Sequence, residues 1–363
     1  MRKKYDKVFL GIILTLLFFG FFVLASASLG MAAREGKNSY DILLKQVVLG
    51  GGVGFILFLL TSRIYYKKWK SLALPFFVIS FCLTLLVFVP HIGFKYGGAA
   101  RWLSLGSFTF QPSELLKFAF VVYLSSWLSS RRNEVPSFKA GFVPFLIIVG
   151  FVGVSLILQP DIGTLGVICI TGALLFFLAG GRFTQLGLLL ILGFVLVSAL
   201  VWSKPYLKSR INIFFNESYD LQGAGYQTNQ AKIAMGSGGI WGKGFGQGIS
   251  KFNYLPEPTG DSIFAVIGEE FGFIGTTFLI LLFLFFCFKC FHIANRASNT
   301  FGRLLASGIA ILITVQVFVN MYAIAGLIPL TGLPLIFISQ GGSALALALA
   351  EVGIILNISK YSL

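Results

Sequence analysis

The sequence predicts an all-α, polytopic membrane protein with ten transmembrane helices and a large extracytoplasmic loop between helices 7 and 8. Three observations lead there. Mean hydropathy is +0.88, and 56% of the residues are hydrophobic against 11% charged, a balance that a water-soluble chain of 363 residues does not keep. The apolar residues are gathered into runs of about 20, the length that crosses roughly 30 Å of hydrocarbon. Lys and Arg also fall mainly in alternate connections, which is the charge asymmetry that orients membrane chains.

The first run, 8–29, reads VFLGIILTLLFFGFFVLASASL. It is longer than an ordinary signal-peptide core and more spans follow, so it is expected to be retained as a helix. The next runs lie at 41–62 and 71–90. The fourth, 112–129, opens with Pro112, a residue suited to a first helical turn. Runs five to seven lie at 140–158, 162–180 and 184–202, and the last three at 261–288, 304–325 and 341–358. Pro256 and Pro258 stiffen the approach to the eighth. MRKKYDK, RIYYKKWK, RRNEVPSFK and KCFHIANRASNTFGR carry most of the short-loop cations. The opposite short loops and helix ends hold only Arg34, Lys37, Lys45, Lys95, Arg101 and Lys117, which predicts both termini in the cytoplasm.

The net charge of +15 is therefore mainly a topology signal that also favours anionic membrane lipids. No basic patch interleaved with aromatics points to nucleic acid. Cys82, Cys169, Cys287 and Cys290 lie in or at the ends of apolar runs, so no disulfide framework is expected. Cys287 and Cys290 lack a second ligand pair for zinc and are read as packing residues. Residues 1–363 are expected to form one membrane domain containing the 203–260 loop.

Polar information concentrates on the extracytoplasmic side. Loop 91–111 is rich in Gly and aromatics around Arg101-Trp102, and the 203–260 stretch is too long for a simple connector. Its glycines, GSGGIWGKGFGQG, do not form a P-loop, because Ser237 stands at the first glycine position and Gly244 follows Lys243. They predict backbone folded tightly on the surface, able to approach a ligand closely.

Three constellations carry charge to membrane depth, where it must pair or line a wet cavity. Glu114 and Lys117 in QPSELLKF share a helix face and can pair, joining helices or meeting a ligand. Asp161 in QPDIGT either caps a helix or faces a site. Asp261 opens the eighth run, as its N-cap or as a group at the rim of a crevice between helices. Gly268 and Gly272 fall near its direction on a helical wheel and offer a face for close packing. Glu269 and Glu270 follow, one of them expected to face the bundle interior, paired or protonated, with a structural role favoured for both.

With these residues in hand, the chain resembles the SEDS family, the FtsW/RodA/SpoVE proteins of bacterial wall synthesis. The resemblance rests on GGAARWLSLGSFTFQPSELLKF, QPDIGT, YQTNQAKIAMGSGGIWGKGFGQGISKFNYLPEPTGDSIFAVIGEEFGFIG and GLIPLTGLPLIFISQGGSALALALAEVGIILNISK, in that order. Together they span essentially the whole chain. LASAS and YLPEP are more similar to FtsW, the division member, than to RodA. Two departures stand out: the family's His-Thr-Asp-Phe reads Thr259-Gly260-Asp261-Ser262, and its Ser-Tyr-Gly-Gly-Ser-Ser reads Ser339-Gln340-Gly341-Gly342-Ser343-Ala344.

The resemblance implies a peptidoglycan glycosyltransferase in the bacterial cytoplasmic membrane that polymerises lipid II into glycan strands. Its implied partners are a class B penicillin-binding protein and proteins of the division or elongation complex. Asp261 matches the family's essential acid and is the expected catalytic residue, as base on the acceptor hydroxyl or as ligand of a divalent cation, Mg or Mn. No organic cofactor is expected. Arg101 and Lys117, with Lys243 and Lys251, are the candidate holders of the diphosphate, and Glu114 and Asp161 complete the expected substrate-binding set. Alternative readings are a lipid II flippase or transporter and a division scaffold without chemistry.

Overall fold

The structure is a computed structural model of the chain and describes residues 5–35, 43–44, 46–96, 99–105, 108–216, 220, 222–223 and 225–361. The loop cations Lys37 and Lys45 lie outside the described residues. Eight described helices are long and apolar enough to cross a membrane. They are α1 (Lys7–Glu35), α2 (Gln46–Arg63), α3 (Lys68–Leu85), α5 (Phe138–Leu158), α7 (Phe183–Ser203), α10 (Ile263–Asn295), α11 (Thr300–Ile324) and α12 (Gly342–Lys360). Helices also occupy the other two predicted runs: α4 (Pro112–Ser130), made polar by Glu114, Lys117 and its serines, and the 17-residue α6 (Ile162–Leu178).

The core is built on α11 and α12, which are buried along most of their length. The first packs against α4, α6, α10 and α12, and the second lies along α2. Small residues permit that approach: a Cβ on Gly353 of α12 would fall 2.1 Å from Thr61 Oγ1, and one on Gly54 of α2 would fall 2.6 Å from a Leu349 methyl. At the other extreme, α7 exposes nearly all of its surface, as a helix facing lipid would.

Two features depart from a plain bundle. Three strands, β1 (Gly93–Tyr96), β2 (Ala99–Leu105) and β3 (Phe108–Phe110), form a small antiparallel sheet in the order β1-β2-β3. Phe94 pairs with Trp102, and Leu103 with Phe110. The long loop folds into α8 (Pro205–Phe215), opened by a proline, and α9 (Tyr226–Ser237). Together they roof the end of the bundle that carries Arg101 and Asp261.

The second departure is a break in α10. Gly272 has φ 63° and ψ −158°, a left-handed backbone inside an otherwise regular helix. The glycine-rich loop lies across the break and satisfies the freed backbone groups. Lys243 and Gly244 donate their N–H groups to the carbonyls of Glu269 and Glu270 at 3.0 and 2.9 Å, while Phe273 and Ile274 donate to those of Gly239 and Ile240 at 2.9 and 3.2 Å. Gly272 therefore does not extend the packing face that Gly268 forms against Met235. A Cβ at Gly272 would sit 2.4 Å from the Gly242 nitrogen. Gly272→Ala is expected to cost at least about 2 kcal/mol from the positive φ and the overlap together. Detergent-solubilised protein should lose several degrees in its thermal midpoint, read by monodispersity after heating.

Candidate functional site

The loop end of the bundle encloses a cavity of about 840 Å³. Its walls come from β2 (Arg101, Trp102), the start of α4 (Gln111), the α5–α6 corner (Pro160, Asp161), α8 (Tyr206, Arg210), α9 (Gln227, Lys232), the turn at Glu257–Asp261 and the irregular segment between α11 and α12. The sequence thus brings together three predicted residues, Arg101, Asp161 and Asp261, in one chamber.

Asp261 lies in the turn before α10 and the helix N-cap is Ser262, so of its two expected places the cap is not the one it takes. The Gly260 and Ser262 N–H groups donate to Glu257 O at 3.0 and 3.3 Å, closing the turn. Three neighbours then hold its carbonyls. Asn320 Nδ2 donates to Asp261 O at 2.9 Å and to Leu333 O at 2.7 Å. Ser339 Oγ donates to Gly260 O at 2.6 Å, and Gln340 N to Thr259 O at 2.7 Å.

The backbone being fixed, the carboxylate is aimed by Gln227. Its Nε2 donates to Asp261 Oδ1 and to Ser262 Oγ, both at 2.9 Å. Oδ2 points toward Gly332, where even a Cβ would remain 4.0 Å away. Among the described residues Oδ1 is held by Gln227, and the side chain lines the chamber.

Burial pushes the Asp261 carboxyl up from its ordinary 3.8 to about 6, and the Glu257 charge adds to the push, while Gln227 and Arg210 pull the other way. Between those values the folded chain binds more protons than the unfolded one. The contribution of this group to stability is present below 3.8 and is lost as pH rises through about 6. A thermal midpoint that falls between those pH values, flattened in Asp261→Asn, is the expected result.

Arg101 reaches from β2 to the α5–α6 corner, donating to Gln159 O at 3.4 Å and to Pro160 O. On α8, Arg210 donates to Leu330 O at 2.7 Å. Burial and the adjacent Arg101 lower its pKa, and Asp261 and Tyr206 raise it. Asp161 does cap α6: its Oδ1 accepts from Thr164 N at 3.4 Å and its Oδ2 from Ser113 Oγ at 3.2 Å. It is 4% exposed, yet still contributes to the chamber wall.

Four predicted substrate contacts are placed elsewhere. Glu114 and Lys117 form a buried ion pair at 2.8 Å, one turn beyond Gln111. Lys117 also donates to Gln316 Oε1, whose amide reaches Pro334 O in the chamber wall at 3.3 Å. Glu351 of α12 lies within electrostatic reach of both partners. The pair therefore supports the floor and does not line the chamber.

Lys243 and Lys251 are corrected more sharply. Lys243 Nζ is 2.7 Å from Glu269 Oε1, and Lys251 Nζ is 2.6 Å from Glu270 Oε1, with no exposure of either side chain in the second pair. Lys251 also donates to Ser26 Oγ of α1 at 2.7 Å and to Gly246 O at 3.0 Å. These lysines and glutamates lock the glycine-rich loop to the broken helix. Sequence reasoning missed Tyr206, Arg210, Gln227, Lys232 and Glu257 as chamber residues. Gln227 and Glu257 stood within the quoted YQTNQ…YLPEPTGD segment, whereas Tyr206 and Arg210 carried no motif at all.

The comparisons agree with this architecture. A family model described as "Cell cycle protein", covering FtsW, RodA and SpoVE, matches residues 6–363. The Stage V sporulation protein E of Bacillus subtilis (strain 168) is 39% identical over 365 residues, covering 99% of each chain. The "Probable peptidoglycan glycosyltransferase FtsW" of Geobacter sp. (strain M18) is 38% identical, covering 98% of this chain and 97% of that one. Among solved structures, a chain of a peptidoglycan synthase complex studied for its coordination of polymerization and crosslinking superimposes with a TM-score of 0.80. That chain is 27% identical over 98% of this chain and 97% of its own. A family match over residues 6–363, on a fold shared over the full length, leaves one assignment: this chain belongs to the FtsW/RodA/SpoVE family.

Proposed function

We propose that this protein is a peptidoglycan glycosyltransferase that polymerises lipid II at the outer face of the bacterial cytoplasmic membrane. In this reading both termini are cytoplasmic, α4 and α6 complete ten crossings, and the chamber opens outward. The observation that carries the reading is the carboxylate of Asp261 in a chamber also lined by Arg101, Arg210 and Lys232.

The chemistry is a single displacement. The 4-hydroxyl oxygen of the acceptor GlcNAc attacks the anomeric carbon of the donor sugar as the bond to the diphosphate breaks, inverting the α-linkage to β. The hydroxyl proton passes to Asp261 Oδ2, and the departing electron pair stays on the diphosphate, held by guanidinium groups suited to its oxygens. No covalent intermediate is needed. An acid with a pKa of about 6 is ionised at neutral pH and still basic enough to assist. Its protonation below about 6 places an acid limb on the rate profile, with rate rising as pH rises through that value.

Asp261 and Glu257 both stand in the chamber wall, and hard carboxylate oxygens of that kind would suit Mg or Mn together with phosphate oxygens of the substrate. Such an ion would neutralise charge on the leaving group. In the protein's setting the partner is a class B penicillin-binding protein that crosslinks the strands. The likeness to FtsW and to sporulation protein E supports a role in a division-type complex.

The test is purified protein, with its partner transpeptidase, supplied with lipid II and a divalent salt. Glycan polymer is the expected product. Lipid crossing without polymer would favour a flippase, and neither activity would favour a scaffold. In the same assay Arg210→Ala is expected to lower kcat/KM by about 10-fold to 100-fold, the effect of losing one charge-assisted hydrogen bond.

A further inference from the structure

The glycine-rich loop does more than repair the break in α10. Its backbone is laid tightly on the helix, since a Cβ on Gly242 would fall 2.2 Å from Glu270 O. The side chains at its tip nevertheless point away from the protein. Ile240 is 62% exposed and Trp241 81%, in a loop whose charged residues Lys243 and Lys251 are both engaged with glutamates.

Position identifies what covers this apolar tip. The hydrogen bonds from Phe273 and Ile274 fix Gly239 and Ile240 at the level of the first residues beyond the break. From there α10 presents Phe273, Ile274, Phe278 and Leu281 outward, the exposed apolar face of a membrane-crossing helix. On the other side of the loop, Phe245 stacks on Phe22 of α1 with centroids 4.2 Å apart. Phe22 belongs to the exposed face of α1, together with Phe18. The tip is thus continuous on both flanks with surface that faces lipid. An exposed tryptophan with a lysine two residues away is the composition of a membrane interface.

We infer that residues 239–245 are a membrane-seated clasp. Ile240 and Trp241 enter the adjacent leaflet at the interface, and the loop backbone holds the two halves of α10 at the depth the leaflet sets. The shorter half begins two residues after Asp261, so the seat also fixes the height of that acid relative to the bilayer.

Spin-label accessibility tests the seat without using activity. The full chain, with Cys82, Cys169 and Cys287 replaced by Ala, would carry one new cysteine at a time, Trp241→Cys, Ile240→Cys or Gln222→Cys. Buried Cys290 is left in place. Each labelled protein is placed in vesicles of phosphatidylethanolamine and phosphatidylglycerol. Labels at 240 and 241 are expected to relax several-fold more with dissolved oxygen than with a water-soluble nickel chelate. The exposed position 222 should show the reverse. Equal chelate access at 222, 240 and 241 overturns the inference. Shielding at 240 and 241 that arises only when the partner transpeptidase is added also overturns it, since the occupant is then protein. The readout requires no substrate, so a failed polymerase assay and a failed seat are told apart.

Discussion

Asp261→Asn is expected to abolish measurable glycan polymerisation, with a loss of about 10²–10⁴-fold in rate for removal of a general base. Asparagine retains an Oδ1 that can accept from Gln227, and the turn is held through its backbone, so the site should keep its shape. The stability readout should move the opposite way. At neutral pH the wild-type carboxylate is ionised although burial favours its neutral form, so replacing it with a neutral amide should leave the thermal midpoint equal or higher. Loss of polymer with an undiminished midpoint assigns the acid to chemistry. Polymer made at the wild-type rate by a folded Asp261→Asn protein removes that assignment.

Lys251→Ala is expected to be the most damaging change for folding. Its ammonium and the Glu270 carboxylate are wholly buried, and removing one member of such a pair strands the other's charge, at a cost of about 3–5 kcal/mol. Among the described residues Glu270 would retain Ser26 Oγ and Gly246 N as donors. The glycine-rich loop and the outer part of α1 should both loosen, because Gly30 packs directly on the Lys251 backbone. Fluorescence-detected size exclusion after heating should show little monodisperse protein. The neutral pair Lys251→Met with Glu270→Gln should recover most of it, because no lone charge remains. If the double variant is no better than the single, the charge is not what fails.

The bundle was legible in the sequence because spanning a membrane requires long apolar runs, and these mark themselves. The helix at 304–325 is found as Thr300–Ile324, and that at 341–358 as Gly342–Lys360. The eighth run showed how far this reaches. Its apolarity fixed the helix, but Asp261 falls two residues outside it, and the break at Gly272 is set by an incoming loop that no local pattern announces. The three-stranded sheet was missed for a related reason: strands of three to seven residues depend on pairing across turns more than on their own composition. Charges were visible, and their partners were not. Glu269 and Glu270 called for cations and Lys243 and Lys251 for anions, but only the fold shows that each pair answers the other. Arg210, by contrast, enters the site through the placement of α8, which follows from tertiary packing alone.

The turn that bears Asp261 is gripped by the carbonyls of Thr259, Gly260 and Asp261 itself. Main-chain oxygens are the same whatever residue supplies them. Sequence drift around the acid is therefore tolerated as long as the gripping groups, Asn320 and Ser339 above all, persist. Thr259, Gly260 and Ser262, which depart from the resembled motif, therefore leave the acid where that grip puts it.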